Sequence, residues 1–415
     1  AADLRPRFSS DGRRLAFIQA RPDGTSIAVA SIESGNTVHL AVGDRRVIDL
    51  DWDPSGRDNL VFTATDGLWR ISARGGPPEL ISVGDGAATH LSTSSGGNLV
   101  AFTSTAEDRD IWRVDLEASG RPTEARQLVG SSRLDGKPSW SHGGSRIAFV
   151  SNRTGDRQLW LSRSDGGGLR QITNLRATPM SGPSWSPDDS RIAFEAVIEN
   201  QMRAAVVELS NGQVTVLTPD GPHERAPSWS GDGRALYVSR LEGGVWRIAR
   251  RPVAGGPHER LTEGSGFGAL EAPDGQAVLY SRLVNGIPEL WRVPLSGGPE
   301  ERLGVPLSGR PLGWTVRRGG IYYCYHRDER DDTFVLAFQS FSGEKEIALF
   351  ETTSRSGITF DISPDETAVV FDRAERSEGD ILGLHRTAPS RLVQVAARGS
   401  STSLRVPPLQ FAFAR

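Results

Sequence analysis

The chain has 415 residues, 37% hydrophobic and 24% charged, with a formal net charge of −3. That length holds two or three average domains or one large ring, and the balance of charge offers no basic footprint for nucleic acid. One cysteine, Cys324, excludes an internal disulfide and a CxxC metal or redox site, and no apolar run approaches the roughly 18 residues a membrane helix needs.

Ala1 stands where a Met would begin an intact chain, and a strand–turn pattern starts within a few residues. No signal-peptide pattern heads it, so the sequence reads as a piece of a longer protein. The first phrase is "RFSSDGRRLAF", Arg7 to Phe17: an apolar residue, a Ser/Pro/Asp/Gly turn, then a short strand closed by an aromatic. It returns as "DWDPSGRDNLVF" from Asp51, "STSSGGNLVAF" from Ser92, "KPSWSHGGSRIAFVS" from Lys137 and "GPSWSPDDSRIAFEA" from Gly182. "SWSGDGRALY" from Ser228, "LEAPDGQAVLY" from Leu270, "GWTVRRGGIYY" from Gly313 and "DISPDETAVVF" from Asp361 follow. The closing aromatics stand at 17, 62, 102, 149, 194, 237, 280, 323 and 371. Nine units with a period near 45 are a repeat architecture.

Each unit carries four strand signals. Turns such as Asn211-Gly212, Gly255-Gly256 and Gly297-Gly298 join the third strand to the fourth. No sustained 3.6-residue period occurs, so helices are expected to be almost absent. Trp52, Trp140, Trp185, Trp229 and Trp314 each fall at the end of a first strand, and Trp69, Trp112, Trp160, Trp246 and Trp291 each fall in a third. Fixed repeat positions point to packing anchors between neighbouring sheets; a carbohydrate-stacking platform is the alternative. Four antiparallel strands per unit predict an all-β fold, a β-propeller of four-stranded blades. The nine units, residues 1–400, form one large ring. Alternatively, three units (1–131) precede a six-unit ring (132–400). Residues 401–415 are a tail that can close a ring.

No chemistry-bearing motif survives inspection. Lys137 and Lys345 are followed by Pro138 and Glu346, so no phosphate-binding loop exists. His223-Glu224 and His258-Glu259 are not followed by the second His of a zinc motif, and no Gly-x-Ser-x-Gly elbow is present. The expectation is no enzyme, no cofactor and no metal. The turn acids Asp11, Asp188, Asp232, Asp274 and Asp365 are expected to accept backbone N–H groups two residues on, ahead of any calcium role. Cys324, in "IYYCYH", reads as a small buried hydrophobe. With 46 of 48 cations being Arg, the near-absence of Lys reads as genomic base composition. Arg5, Lys137, Arg225 and Arg310 stand at or just before the start of innermost strands. In a propeller such positions rim the central channel and can select an acidic peptide or a carboxylate. The competing reading is solvated loop cations paired with nearby acids.

The Ser-Pro-Asp-Gly turn followed by Ile-Ala-Phe resembles the WD40-like Pro-Asp repeat of TolB-type propellers. "DIWRVDL", "VSNRTGDRQLW", "APDGQAVLYSR", "ELWRVPLSGGPEE", "DISPDE" and "GDILGL" are together similar to the C-terminal propeller of bacterial winged-helix or kinase signalling proteins. The resemblance implies a sensor or scaffold region that binds a protein or peptide partner, without membrane insertion, in the periplasm. An accessory propeller gating a prolyl-oligopeptidase-type hydrolase is the other class.

Overall fold

The computed structural model describes residues 2–21, 24–42, 47–53, 58–64, 67–82, 88–94, 99–117, 122–175, 178–179, 182–198, 201–218, 221–285, 287–307, 312–327, 332–342, 346–354, 358–388 and 391–397. Among these residues there is no helix; every regular element is a β-strand. The reason is visible in Arg191–Ile198, "RIAFEAVI". Ile192, Phe194 and Ala196 face one apolar core and Ala193 faces another. A strand buried on both faces belongs inside a stack of sheets.

The chain divides into two compact units, residues 1–107 with 377–415, and residues 108–376. In the second, four sheets have the strand order of the sequence. They run through Asp135–Trp140, Glu224–Trp229, Phe267–Glu271 and Trp314–Arg317 as first strands. In the fifth, Thr178–Pro179 and Ser184–Trp185 both pair with Arg191–Ile198. The sixth sheet is composite. Phe360–Ile362 and the start of Ala368–Ala388 supply its inner strands, while the end of Leu99–Asp115 and Arg126–Val129 supply its outer ones. Each sheet shares a core with the next. Ile111, Val129 and Val370 of the composite sheet pack with Trp140, Phe149 and Trp160 of the sheet that begins at Asp135. The unit therefore closes on itself as a six-bladed propeller.

The third and ninth repeats do not form separate sheets. The third repeat has no turn between its second and third strands; Leu99–Asp115 is one continuous 17-residue strand. Pairing over long sequence separation, with the ninth repeat, decides where its halves go.

The other unit contains the sheets of the first two repeats, with first strands Ala2–Phe8 and Val47–Trp52, and, from a third sheet, Ala88–Thr93, the start of Leu99–Asp115, the end of Ala368–Ala388 and Arg391–Ala397. One core joins the first sheet to the second and another joins the second to the third.

The repeated turn has a hydrogen-bond logic. Ser186 Oγ donates to Asp188 Oδ1 (2.6 Å) and accepts from Arg191 N (2.9 Å), while Asp188 accepts from Ser190 N (3.1 Å). Ser9–Asp11, Ser230–Asp232 and Ser363–Asp365 repeat it. Asp274 does the same for Gln276 N (2.9 Å) without a serine. Hydrogen bonds from Ser186 and Ser190 hold the Asp188 carboxyl down at about 2.

The indoles staple sheet to sheet. Trp52, Trp185 and Trp229 donate Nε1–H to the Arg7, Ser139 and Ser184 carbonyls of the preceding first strand, at 3.0, 3.0 and 3.1 Å. Trp314 donates to Ser281 Oγ at 2.7 Å. Trp314 opens its strand rather than ending it. Its unit lacks the Ser-x-Asp turn, and Arg317 pairs directly with Gly320 across a two-residue hairpin, so the strand runs on past the ring.

Candidate functional site

The first strands do not run straight. Register breaks between Gly136 and Ser139, Arg225 and Ser228, and Phe267 and Leu270 mark a bulge in each. At each break one residue takes left-handed backbone: Lys137 (φ 56°), Ala226 (φ 46°) and Gly268 (φ 58°). Arg5 (φ 55°) and His90 (φ 49°) hold the same place in the other unit. Positive φ costs a non-glycine residue energy, so the surroundings must hold it. They do so with acceptors from the neighbouring sheet. Asp372 Oδ2 accepts from Lys137 N (2.9 Å), Glu195 Oε2 from Ala226 N (3.1 Å) and Ser239 Oγ from Gly268 N (3.1 Å). At the first of these bulges the Lys137 side chain comes near charged groups of neighbouring sheets.

In the six-bladed unit this gathers Lys137, Arg157, Arg225, Glu195 and Asp372. Both acids are almost fully buried, and both are engaged. Asp372 pairs with Arg109 NH1 (2.8 Å) and accepts from Thr359 N and Oγ1 (2.7 and 2.6 Å). Glu195 Oε1 lies 3.4 Å from Arg225 Nε, and the Arg225 guanidinium stacks over Trp246 at 5.7 Å. Lys137 is partly exposed, yet walled in by protein on most sides. Loss of hydration, with Arg157 and then Arg225 nearby, outweighs the attraction of Glu195 and Asp372 and brings its ammonium down to about 8.

Of the four cations singled out in the sequence, Lys137 and Arg225 are thus brought together. Arg5 is exposed and lies in the other unit, and Arg310 lies outside the described residues. Neither Lys137 nor Arg225 sits before its strand; both are inside it, at the bulge. The acids that hold this place together, Glu195 and Asp372, follow the closing aromatics Phe194 and Phe371. That spacing was available in the sequence.

Residues 94–266 match the family model described as the TolB beta propeller domain, PD40. A TolB homologue from Chlorobium chlorochromatii is 30% identical over 124 residues, covering 30% of this chain and 28% of that protein. The uncharacterized peptidase YuxL of Bacillus subtilis is 25% identical over 207 residues, covering 46% of this chain and 29% of that one. Among solved structures, TolB from Acinetobacter baumannii aligns at 15% identity with a TM-score of 0.47, covering 88% of this chain and 80% of that one. The chain carries a TolB-like β-propeller domain. It spans less than two fifths of the length of the TolB homologues it matches.

Within the TolB-like propeller the arginines have a structural role that composition concealed. Arg146 stacks over Trp185 (4.8 Å) and Arg191 over Trp229 (4.5 Å), each covering the strand-ending ring of the next sheet. Arg14 over Trp52 (4.6 Å) repeats this in the other unit. Arg153, Arg282 and Arg373 cover the third-strand rings Trp160, Trp291 and Trp112. A flat guanidinium stacks on indole and keeps its in-plane donors, which an ammonium cannot do. Among the described residues, no cluster of three or more His, Cys, Asp or Glu side chains suits a metal ion, and no helix is long and apolar enough to cross a membrane. Cys324 is buried in the core between the sheet of the eighth repeat, which begins at Trp314, and the composite sheet.

Proposed function

We propose that this propeller is a non-enzymatic binding module whose channel mouth takes an acidic segment of a protein partner. One observation carries the reading. Glu195 and Asp372 are committed to backbone N–H groups and to arginines, so Lys137 stands with Arg157 and Arg225 as near neighbours and with its carboxylate neighbours already engaged. A carboxylate entering there relieves the crowding of like charge, and the walls concentrate the field. The module then serves as the sensor or scaffold of a larger assembly, in an extracytoplasmic setting, as its likeness to TolB homologues supports. A signalling-protein context rests on the sequence resemblance alone.

Fluorescence anisotropy with a short oligoglutamate peptide tests the reading, with oligolysine as the control. Binding should weaken with salt, with Lys137→Met and as pH rises through about 8, where Lys137 loses its charge. Equal binding of both peptides, or indifference to Lys137→Met, overturns it. The second reading, a gating propeller of a peptidase, is favoured by the likeness to YuxL over 46% of the chain. It predicts association with a hydrolase domain, and the purified chain alone should show no peptidase turnover under either reading.

A further inference from the structure

The joint that closes the six-bladed unit, between the composite sheet and the sheet that begins at Asp135, differs from the joints built like it. At three other joints an arginine of one sheet covers the strand-ending indole of the next: Arg14 over Trp52, Arg146 over Trp185 and Arg191 over Trp229, at 4.6, 4.8 and 4.5 Å. Two of these arginines also reach the turn beyond the ring. Arg146 NH2 donates to the Asp189 carbonyl at 2.9 Å, and Arg191 NH2 to the Gly233 carbonyl at 3.4 Å. All three arginines stand at one place in their repeat. Each has the backbone carbonyl that accepts from the amide of the turn serine, Ser9, Ser141 or Ser186. In the ninth repeat the Ser363 amide donates to Ala368 O. Ala368 therefore holds the arginine's place opposite Trp140 and presents a methyl group instead of a guanidinium.

A cleft of about 260 Å³ opens at this joint, and every residue lining it lies between Arg113 and Ala368. Trp140, Gly144, Ser363, Asp365 and Ala368 form its walls together with Arg113. Arg113 comes from the outer strand Leu99–Asp115 and approaches the Trp140 ring only to 5.5 Å. Its donors are engaged elsewhere, Nε on Asp115 Oδ1 (2.7 Å) and NH1 on the Ser164 carbonyl (3.0 Å). The Gly144 carbonyl, counterpart of those at Asp189 and Gly233, receives no arginine among the described residues. Asp365 stands exposed at the rim and accepts from Ser363 Oγ (2.6 Å) and Thr367 N (3.2 Å). The bond from Ser363, with help from Thr367, holds its carboxyl below the ordinary range, so it is charged at neutral pH. Asp115 balances Arg113, which leaves the charge of Asp365 uncompensated within the cleft.

The geometry points to a seat for a guanidinium supplied by a partner protein. An arginine side chain of the partner enters the closing joint, lies on the Trp140 indole and donates to the Gly144 carbonyl, and Asp365 counters its charge. The occupant is a guanidinium because the chain itself places one over the corresponding ring at three other joints. A flat cation with donors in its plane stacks and hydrogen-bonds at once, which an ammonium cannot do. It arrives as a side chain because the cleft opens between two turns whose His142, Pro364 and Asp365 are exposed, with space for the main chain that carries it. The seat lies at the turn end of the first strand. It is separate from the Lys137 bulge and stands whether or not Lys137 receives a carboxylate.

The test is fluorescence anisotropy of the full chain with a dye-labelled, end-capped Gly-Arg-Gly peptide. The same peptide with citrulline, a neutral isostere, or with lysine is the control. The arginine peptide should bind about tenfold more tightly than either control, the weight of one stacked cation. Ala368→Arg fills the seat from within the chain and should abolish that preference. Ala368 is 1% exposed, so a second variant is taken at the rim. Asp365→Asn keeps an acceptor for the turn and should weaken the arginine peptide about fivefold, the upper end for an exposed ion pair. Lys137→Met should leave the binding unchanged, which separates this seat from the channel mouth. Free arginine should compete less well than the capped peptide. Equal binding of the three peptides, no saturable binding, or a preference that either folded variant leaves unaltered overturns the proposal. Free arginine binding as tightly as the peptide overturns it too, because the ligand would then be a small molecule.

Discussion

Asp372 should be the most costly single residue to lose in the six-bladed unit. It is 2% exposed and joins parts of the ring that lie far apart in sequence. It holds Arg109 of the composite sheet's outer strand, the Lys137 amide in the next blade, and the Thr359 amide and hydroxyl in its own. Asp372→Ala leaves the buried Arg109 guanidinium without this carboxylate, a loss of about 3–5 kcal/mol for removing one partner of a buried pair. The bulge amide of Lys137 is left unsatisfied as well, so the upper part of that range is expected. Asp372→Asn keeps the shape and removes the charge, and should cost about 1.5–3 kcal/mol, the weight of a hydrogen bond to a charged group. Urea unfolding followed by tryptophan fluorescence reads this unit, since eight of the ten tryptophans lie in residues 108–376. A loss below about 1 kcal/mol for Asp372→Ala would refute the claim that this carboxylate latches the ring, because even one exposed ion pair reaches that size.

The indole staples separate by partner. Trp229→Phe removes a bond to the Ser184 carbonyl, whereas Trp246 Nε1 has no hydrogen-bond acceptor, so Trp229→Phe should cost about 1 kcal/mol more in the same denaturation assay. Arg191→Lys should lose about 0.5–1 kcal/mol of stacking on Trp229, and an unchanged midpoint would count against it. Ser186→Ala should raise the Asp188 carboxyl from about 2 toward its ordinary value, measured by NMR titration. Because the folded value is the lower one, the stabilisation Asp188 gives is present above about pH 4 and fades as pH falls toward 2. Lys137 has the opposite dependence. Its folded value is depressed to about 8, so holding it charged costs stability below that pH, and the cost lifts as pH rises from about 8 toward its ordinary value of 10.5. Lys137→Met should therefore stabilise the unit at neutral pH and make no difference at pH 11.

The blade was legible because its instructions are local. Ser186, Asp188 and Ser190 build their turn within five residues, and Trp185 marks where the strand ends. Ring closure was not, because Leu99–Asp115 reads as two strands until its second half is seen to pair with the ninth repeat. The channel was half legible. Lys137 and Arg225 drew attention as cations near first strands, but nothing about a lysine announces left-handed backbone. The usual marker, glycine, appears at only one of the five bulges, Gly268, where a β-carbon would also strike the Leu312 side chain. Glu195 and Asp372 were hidden by their position, each directly after a core aromatic, where a buried acid makes sense only once its backbone partners are known.

The bulge has a consequence for how such a protein diversifies. At Lys137, Ala226 and Gly268 its shape is held by a neighbour's oxygen acting on a main-chain amide, so the bulged side chain can vary wherever a β-carbon has room, as it does not at Gly268. This one polypeptide already displays the range, with Arg5, His90, Lys137, Ala226 and Gly268 at equivalent places. Where there is room, each is a setting that drift can change without disturbing a blade. A lineage could pass from a cationic to a neutral or a proton-sensitive aperture by single substitutions, and recognition would evolve on a scaffold that hardly registers the change.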